Sequence, residues 1–577
     1  MKLPSLSYLN EKTVKTFSRF PIVLINTIIG TFFAIYLVES SKSSHENYYF
    51  FNLVLTCALG LTLFLSVALF SERINLDKSK KSFLNIFALI LLILYYFSLP
   101  ENSDISSEKS EFITRFFLFN LSLHLMIAFI PFIGKNTPNG FWHYNRILFE
   151  RIIIALVYSG IIYGGLSIAL YSIDNLLEIK VRYQIYSELW VFIVGIFNTW
   201  FFLSGIPEDF HQLESKSDFP KDLKMLVQYI LIPIVIIYLI ILYLYAGKII
   251  LNWDWPHGKV SSLIIGCSFT GILSLLLIYP LQNTSEKVWI RAFSKTFYII
   301  LLPLIIMLYF AVSRRIQDYG ITENRYFLLI TSFWLFGISL YFIFSKNKNI
   351  KLIPVSLCIV SFLTSFGPWG AFDVSVKSQL KRLETLLIKD NIMKNGIIEK
   401  ISSKIPVVDN QEISSILNYL NKRDKLKIVV RWFRVPVNLG KSYENPRKVI
   451  EAMGLTYMQP YYGGERNKNN EYFNFSVLNK NDYYDISGYD GLIKVSLYKD
   501  SQPCNFLFNK QSFSLVYNQE NLVITLFKEK EKLMDLPLDN LIKKLTDKYI
   551  GVSSQIPQEE MVLERENNKV KLNLPPP

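Results

Sequence analysis

The sequence predicts an α-helical polytopic membrane bundle of about eleven transmembrane helices, followed by a small α+β soluble domain with an antiparallel sheet. Three observations indicate this fold class. The 577 residues are 51% hydrophobic, and their mean hydropathy of +0.27 is unusual for a soluble chain. Apolar runs such as 227–247, which holds no charge, are long enough to cross a bilayer as a helix. Beyond Pro368 these runs give way to shorter helical and alternating patterns.

The apolar runs also place the spans and the domains. We expect membrane spans at 20–38, 48–70, 82–99, 112–133, 149–172, 184–205, 224–247, 258–281, 288–312, 326–345 and 351–368. The expected domains are a basic cytoplasmic N-terminus at 1–19, a transmembrane helical domain at 20–370, an amphipathic helical connector at 371–435 and an α+β soluble domain at 436–577.

The distribution of Lys and Arg between the loops predicts the orientation of the bundle. Four cations precede the first span and four fill the second loop, whereas the first loop carries only Lys42 and the third carries four acidic residues. Because Lys and Arg stay on the cytoplasmic side, we expect a cytoplasmic N-terminus. An odd number of spans then places the C-terminal domain outside the cytoplasm, and one span more or fewer would reverse that side.

Composition and residue spacing argue against several functional classes. The net charge of +14 is first explained by membrane topology, because Lys and Arg are enriched in cytoplasmic loops. A nucleic-acid partner would require a concentrated basic face, which the sequence does not show. The five histidines are scattered without metal-ligand spacing, so we expect no metal and no other cofactor. No histidine follows His257, which rules out a Ser–His–Asp triad within the C-terminal domain, and Cys504 is that domain's single cysteine.

A few polar residues at membrane depth or at the surface are candidates for function, since burying polar groups in a bilayer is costly. His124, in the fourth span, is either a proton relay or a neutral histidine bonded to another helix. Gln228 opens the seventh span, where it serves either a binding site or helix packing. Asp254 follows the seventh span in a Trp-rich loop and could join Glu323 and Arg325 in a surface cluster.

Two late segments contain the remaining candidates. In residues 319–326 (YGITENRY), Thr322 can cap the next helix with Glu323 and Arg325 in its first turn, either as a fixed loop or as a ligand contact. In residues 366–375 (FGPWGAFDVS), proline and two glycines around Trp369 end the last span. Asp373 then starts an amphipathic helix, laid on the membrane surface or on the bundle, with the charges of 377, 381, 382 and 384 facing water.

These two segments, with 226–233 (LVQYILIP), 253–256 (WDWP) and 378–383 (SQLKRL), resemble the bacterial membrane family called domain of unknown function 4153. The resemblance covers roughly residues 20–390, and the C-terminal part looks like the extension of Bacteroidetes-type members. It implies a multi-pass protein of the bacterial inner membrane. The family has no established activity, so the resemblance supplies no catalytic residue.

The C-terminal part changes from helical to alternating patterns. Residues 373–435 are predicted to be helical, with Asp409 and Glu412 forming a capping-box-like start. Strands are expected at 472–478, 492–498, 513–517 and 522–527, with 518–521 as a hairpin loop, followed by a helix around Leu541 and a strand before Pro575.

Three functional hypotheses remain open. The first is a non-enzymatic envelope protein, a sensor or scaffold, whose soluble domain binds an envelope protein or a glycan. The second is a transporter of a small molecule or lipid. The third is a membrane enzyme of envelope polymer or lipid metabolism, although no catalytic signature is present. The lipid bilayer is an expected partner in all three.

Overall fold

The computed structural model divides the chain into two compact units. The first is Met1–Arg382 with Lys422–Lys425, and the second is Leu383–Asn421 with Leu426–Pro577. The structure describes residues 6–40, 47–100, 110–135, 137–210, 212–215, 219–252, 259–283, 288–346, 348–402, 405–435, 437–440, 444–458, 476–477, 503–508, 511–518, 521–529, 531–548, 555–556, 563–566 and 571–574.

The first unit is helical. Its helices are α1 (Leu6–Arg19), α2 (Pro21–Glu39), α3 (Asn47–Ile74), α4 (Lys78–Ser98), α5 (Ser110–Phe129), α6 (Pro138–Leu176), α7 (Tyr183–Phe192), α8 (Thr199–Ser204), α9 (Gln212–Ser215), α10 (Lys221–Met225), α11 (Ile232–Asn252), α12 (Lys259–Leu277), α13 (Val288–Tyr319), α14 (Glu323–Phe344), α15 (Leu352–Thr364) and the first part of α16 (Ala371–Lys389). Two π-helical segments, Ile193–Asn198 and Leu226–Leu231, join α7 to α8 and α10 to α11.

Surface and interior together identify a multi-pass membrane protein. Within the described residues, ten helical stretches are long and apolar enough to span a bilayer. Large apolar side chains such as Ile161 and Leu244 lie on the outer surface, as lipid contact requires. Several buried hydroxyls donate to a carbonyl one turn earlier in their own helix; that of Ser66, for example, donates to the Thr62 carbonyl at 2.8 Å.

One end of the bundle, here called the Arg19 end, collects the end of α1 and the ends of other helices. The Arg19 guanidinium pairs with Glu72 at the end of α3, with Nη2 2.9 Å from Oε2. The same guanidinium donates to the carbonyl oxygens of Ile206 and Pro207, both at 2.7 Å. The start of α2 and the ends of α3 and α8 therefore lie together.

Further contacts place other helix ends there. Lys351 Nζ, just before α15, donates to the carbonyl of Phe132 at 3.4 Å and to that of Lys135. Burial lowers the pKa of this Lys351 ammonium. Trp142 Nε1, near the start of α6, donates to the carbonyl of Leu276 in α12 at 2.7 Å. The Arg19 end therefore also holds the loops after α5, α12 and α14.

The opposite end, here called the Arg182 end, collects the other helix ends. Arg182 Nη2 lies 2.7 Å from Glu39 Oε1, which joins the start of α7 to the end of α2. Asn52 Nδ2 donates to the Pro100 carbonyl at 2.9 Å, which joins the start of α3 to the end of α4. Successive spans therefore alternate in direction, so that α2 starts at the Arg19 end and α15 ends at the Arg182 end.

The eleventh apolar run, expected to span residues 351–368, forms a shorter helix than predicted. Helix α15 has 13 residues, which rise about 20 Å, less than the roughly 30 Å of a hydrocarbon core. It packs along α5: the Ser122 hydroxyl donates to the Cys358 carbonyl at 3.1 Å, and the rings of Phe119 and Phe362 lie 5.9 Å apart. Phe366, beyond the helix, stacks on the same Phe119 at 6.5 Å, so the turn after α15 continues its packing against α5.

The second unit contains the rest of α16, then α17 (Val407–Lys422), α18 (Leu426–Val430), α19 (Asn445–Ala452) and α20 (Asp539–Lys548). The last residue of α17, Lys422, belongs to the first unit. Its strands are β1 (Met393–Lys394), β2 (Ile397–Ile398), β3 (Ser476–Val477), β4 (Cys504–Phe508), β5 (Gln511–Asn518), β6 (Val523–Lys528), β7 (Glu531–Pro537), β8 (Gln555–Ile556), β9 (Leu563–Glu566) and β10 (Lys571–Leu574).

An antiparallel sheet of four strands in the order β4–β5–β6–β7 confirms the predicted sheet. Asn518 pairs with Val523, so the predicted hairpin loop between β5 and β6 is also confirmed. Ile524, Met534 and Leu536 form the core of the sheet on one face. The strand predicted at 492–498 and most of that at 472–478 lie outside the described residues.

Two predictions for the connector were wrong. The stretch 373–435 is not helical throughout, because β1 and β2 form a hairpin across Asn395 and Gly396, whose φ angles of 50° and 78° suit a tight hairpin turn. Asp409 does not start a helix, since α17 begins at Val407. Its carboxylate instead pairs with Lys389 Nζ at 2.7 Å.

Candidate functional site

The loop between α13 and α14, residues 320–322, contains only three residues and begins with Gly320. This glycine has a φ of +70°, and its N–H donates to the Ile316 carbonyl at 2.8 Å. A Cβ added at Gly320 would lie 2.8 Å from Gln379 Nε2. Both the left-handed backbone and the close approach of Gln379 therefore favour glycine here.

The turn between α15 and α16, residues 365–370, is just as tight. Gly367 has a φ of +81°, and its carbonyl accepts the N–H of Gly370 at 2.9 Å. A Cβ at Gly370 would lie 2.8 Å from the carbonyl oxygen of Phe366. The two glycines allow the chain to reverse at the end of α15 and to begin α16.

These two segments contact each other. The Tyr326 hydroxyl, in the first turn of α14, donates to the Trp369 carbonyl at 2.6 Å. The Ser378 hydroxyl, on α16, accepts the backbone N–H of Ile321 at 2.9 Å. We call residues 317–326 together with 366–382 the clamp. It lies within the first unit, at the Arg182 end.

The centre of the clamp is a set of side chains that donate to the carbonyls at the end of α13. Gln379 Nε2 donates to Tyr319 and Ile321, both at 3.0 Å. Arg325 Nη1 donates to Tyr319 at 3.1 Å and to Gly320 at 2.8 Å. Its guanidinium also lies 5.4 Å from the centroid of the Tyr319 ring.

Arg382 completes this set, because its guanidinium donates to the backbone carbonyl of Gln317 at 3.3 Å and to that of Asp318. Each carbonyl from 317 to 321 thus accepts a side-chain donor. The last carbonyls of a helix have no partner within the helix, and they form the negative end of its dipole. Charged donors satisfy such groups better than neutral ones. The clamp therefore ties α14 and α16 to the end of α13.

A line of charged and aromatic side chains borders the clamp. The Phe372 ring, which is buried, lies between two guanidinium groups, 5.1 Å from that of Arg115 and 5.9 Å from that of Arg423. Arg115 pairs with Glu111 at 2.7 Å. Arg423 pairs with Glu323 at 2.8 Å, and these two side chains are only 14% and 9% exposed. A buried carboxylate of this kind requires its partner.

This arrangement suits a structural junction better than a catalytic centre. The donors of Gln379, Arg325 and Arg382 point at backbone carbonyls of the same unit. Within the part of the chain that the structure describes, no group of three or more His, Cys, Asp or Glu side chains could hold a metal ion. The clamp fixes the relative position of three helices.

Four of the seven candidate residues lie in the clamp. Glu323 and Arg325 lie in the first turn of α14, as expected, but they contact Arg423 and backbone carbonyls rather than a surface ligand. Trp369 supplies its carbonyl to Tyr326, and its exposed indole N–H donates to Leu363 at 3.1 Å. Asp373 lies in the first turn of α16, with its side chain exposed.

The other candidates lie elsewhere. His124 is on the outer surface of the bundle, and its Nδ1 is 2.8 Å from the carbonyl of Asn120, one turn earlier in α5. Gln228 is buried inside the π-helical segment Leu226–Leu231. Asp254 lies outside the described residues. The structure therefore does not unite His124 and Gln228 with the clamp in one site.

Sequence reasoning missed the residues that hold the clamp together. Ser378, Gln379 and Arg382 stand in one of the segments that carry the family resemblance, which was the available signal. Arg382 was expected to face water, but it donates to carbonyls at the end of α13, because those groups need partners. Thr322 precedes α14 as expected, yet its side chain makes no capping hydrogen bond. No local pattern marks Arg423, which is far from Glu323 in the chain.

Comparison with known proteins shows the family to which the membrane part of the chain belongs. The family model described as "Domain of unknown function (DUF4153)" matches residues 26–386, which is more than half of the chain and includes the whole clamp. A similar protein is Uncharacterized protein PM1469 of Pasteurella multocida (strain Pm70), which is 27% identical over 280 residues. The alignment covers 47% of this chain and 46% of that protein, so the chain spans about half the length of this relative. No solved structure matches the chain.

Proposed function

We propose that this chain, which belongs to the family described as Domain of unknown function (DUF4153), is a non-enzymatic sensor or scaffold protein of the bacterial inner membrane. Its multi-pass bundle anchors it in the bilayer. Its C-terminal unit binds a partner in the envelope, either a protein or a glycan. Family membership supplies no activity, so the proposal depends on the geometry of the chain itself.

The observation that carries the proposal is that the polar side chains of the clamp form hydrogen bonds that hold helices together. Arg325, Gln379 and Arg382 hold the first part of α16 to the end of α13. The same helix continues past Leu383 as part of the second unit. Because an α-helix is stiff, a change at the second unit that moves α16 must strain or break these hydrogen bonds. A junction of this kind fits signalling or scaffolding better than turnover of a substrate.

The charges at the two ends support an extracytoplasmic C-terminal unit. Lys80, Lys135, Lys348 and Lys351 are among the cations at or beside the Arg19 end. Cytoplasmic loops are enriched in such residues, so the Arg19 end suits the cytoplasmic side. The clamp, at the Arg182 end, then faces the envelope, where a partner would meet the C-terminal unit.

The test combines site-specific crosslinking with a broken clamp. A photoreactive amino acid replaces Leu507, whose side chain is 78% exposed on strand β4, in the full chain in cells. We expect one adduct of defined mass, whose yield falls several-fold when Gln379 and Arg382 are both changed to Ala. Glu384→Ala, at an exposed position of α16 outside the clamp, is the matched control and should leave the yield unchanged.

Two results would contradict the proposal. Equal adduct yields from the intact and the broken clamp would show that the clamp does not govern partner binding. Turnover of a lipid-linked substrate by the purified full chain would show an enzyme instead. Both results count only if the variants are expressed, and elute in detergent, as the unaltered chain does.

Transport of a small molecule or lipid is a second candidate function, favoured by the two π-helical segments. Such segments often mark functional sites, and transporters commonly bind their substrates at interrupted helices. Gln228 is buried within one of them. If the chain is a transporter, Gln228→Ala should abolish uptake into liposomes, whereas Tyr229→Ala, next to it on the outer surface, should not.

A further inference from the structure

A cavity of about 340 Å³ lies at the Arg19 end of the bundle, away from the clamp. Its walls come from the end of α12, the turn Tyr279–Asn283, the first turns of α13, the end of α14 and the start of α15. The volume is at the lower end of the range for pockets that hold small ligands. All of these elements belong to the first unit.

The charges that line the cavity have one sign. Arg291 and Lys295 come from the first turns of α13, and Lys348 comes from the loop after α14. Among the described residues that line it there is no Asp or Glu. The first turn of α13 also lacks acidic residues, and the positive end of its helix dipole adds to the positive potential there. Arg291, Lys295 and Lys348 give the lining a positive charge, which favours binding of an anion.

The inner wall of the cavity is apolar. The ring of Tyr298 stacks on that of Phe342, with centroids 4.8 Å apart and planes 8° apart, and both side chains are buried. Lys295 and Lys348, in contrast, are exposed. The cavity therefore passes from a cationic mouth to an apolar interior. A ligand with a phosphate group joined to an apolar or uncharged part would match both regions.

We infer that this cavity binds a phosphate-bearing ligand, and specifically the phosphodiester headgroup of an anionic phospholipid. Basic pockets between transmembrane helices commonly bind anionic headgroups on the cytoplasmic side of a membrane. A soluble phosphorylated metabolite has the same phosphate chemistry and is the other possible source of the ligand. The inference does not depend on the scaffold function proposed above, because it uses different residues at the other end of the bundle.

The experiment measures binding to the purified full chain in an uncharged detergent by titration calorimetry. The probes are dioctanoyl phosphatidylglycerol, zwitterionic dioctanoyl phosphatidylcholine, and glycerol 3-phosphate, which carries a phosphate without acyl chains. We expect phosphatidylglycerol to bind at least tenfold more tightly than phosphatidylcholine. Lys295→Gln with Lys348→Gln should weaken that binding roughly 25-fold, about fivefold for each cation.

Lys346→Gln is the matched control, because Lys346 is an exposed cation two residues from Lys348 and does not line the cavity. It should leave binding unchanged. Since both test lysines are exposed, the double variant should fold, and its elution in detergent checks this. Binding of glycerol 3-phosphate as tight as that of the lipid, and equally sensitive to the double variant, would assign the site to a soluble ligand. Equal effects of the control and the double variant, or no binding of any phosphate probe, would overturn the inference.

Discussion

At the residue scale, the clamp depends on side chains that each satisfy a specific unpaired backbone group. Gln379 serves two carbonyls with one amide, and Arg325 serves two with one guanidinium. Fixed geometry makes such donors effective, because less side-chain freedom is lost per hydrogen bond formed. Glu323 differs from them, because its buried carboxylate pairs with the guanidinium of Arg423 over 2.8 Å. Single substitutions here should therefore have clear and local effects.

The Glu323–Arg423 pair gives the first prediction. Arg423→Met strands a buried carboxylate and should cost about 3 kcal/mol of stability, whereas Glu323→Gln with Arg423→Met should recover most of that loss. Thermal unfolding of the full chain in detergent measures both effects. Lys80→Met, which breaks the exposed pair of Lys80 and Asp77, is the control and should have little effect. A double variant no more stable than Arg423→Met would contradict the assignment of a compensated buried charge.

Gly320 gives a second prediction at this scale. Gly320→Ala places a Cβ on a backbone with φ of +70° and close to Gln379, which should cost about 1–2 kcal/mol. Gly247→Ala, inside α11 with open space around its Cβ, should be neutral or slightly stabilising, since alanine favours a helix. The same unfolding assay compares the two. Equal effects would mean that the turn accepts a side chain.

At the scale of elements, helix ends rather than helix faces determine the arrangement around the clamp. Helix α13 ends on donors from α14 and α16, and α15 is short because the turn after it takes over its packing on α5. The two π-helical segments, in contrast, interrupt the α-helical hydrogen bonding within the sixth and seventh spans. Near Gly195, the Thr31 hydroxyl of α2 lies where a Cβ would be, so the two helices approach closely there.

Hydrogen exchange tests the link between α16 and the loop after α13. Ser378→Ala removes the acceptor of the Ile321 N–H, so exchange at that amide should speed up by roughly fivefold, for about 1 kcal/mol of lost hydrogen bonding. Lys377→Ala, an exposed neighbour on α16, is the control. Unchanged exchange at Ile321 in the Ser378 variant would show that this bond does not hold the loop.

At the scale of the whole molecule, the alternation of helix ends predicts an odd number of membrane crossings. The contacts at the Arg19 end and the Arg182 end place the end of α1 and the start of α16 at opposite ends of the bundle. This parity holds whichever side is cytoplasmic. The positive loops at the Arg19 end favour a cytoplasmic N-terminus.

Cysteine labelling tests that orientation. In a chain whose four cysteines are replaced, Asp373→Cys at the Arg182 end and Lys348→Cys at the Arg19 end both lie on exposed positions. With right-side-out vesicles and an impermeant maleimide, we expect labelling of Asp373→Cys at once and of Lys348→Cys only after permeabilisation. The reverse pattern would place the C-terminal unit in the cytoplasm, and labelling of both from one side would refute the odd number of crossings.

The sequence by itself determined the membrane class, the approximate positions of ten candidate spans and the presence of a C-terminal antiparallel sheet. Bilayer thickness sets the length of an apolar run, and β-hairpins leave an alternating pattern, so both signals are local. Only the tertiary structure decided that Gln379 and Arg382 bind the end of α13, that Arg423 neutralises Glu323, and that three cations share one cavity. These contacts join segments distant in the chain. Such pairings depend on how the helices pack, and packing leaves no periodic trace in the residues that take part.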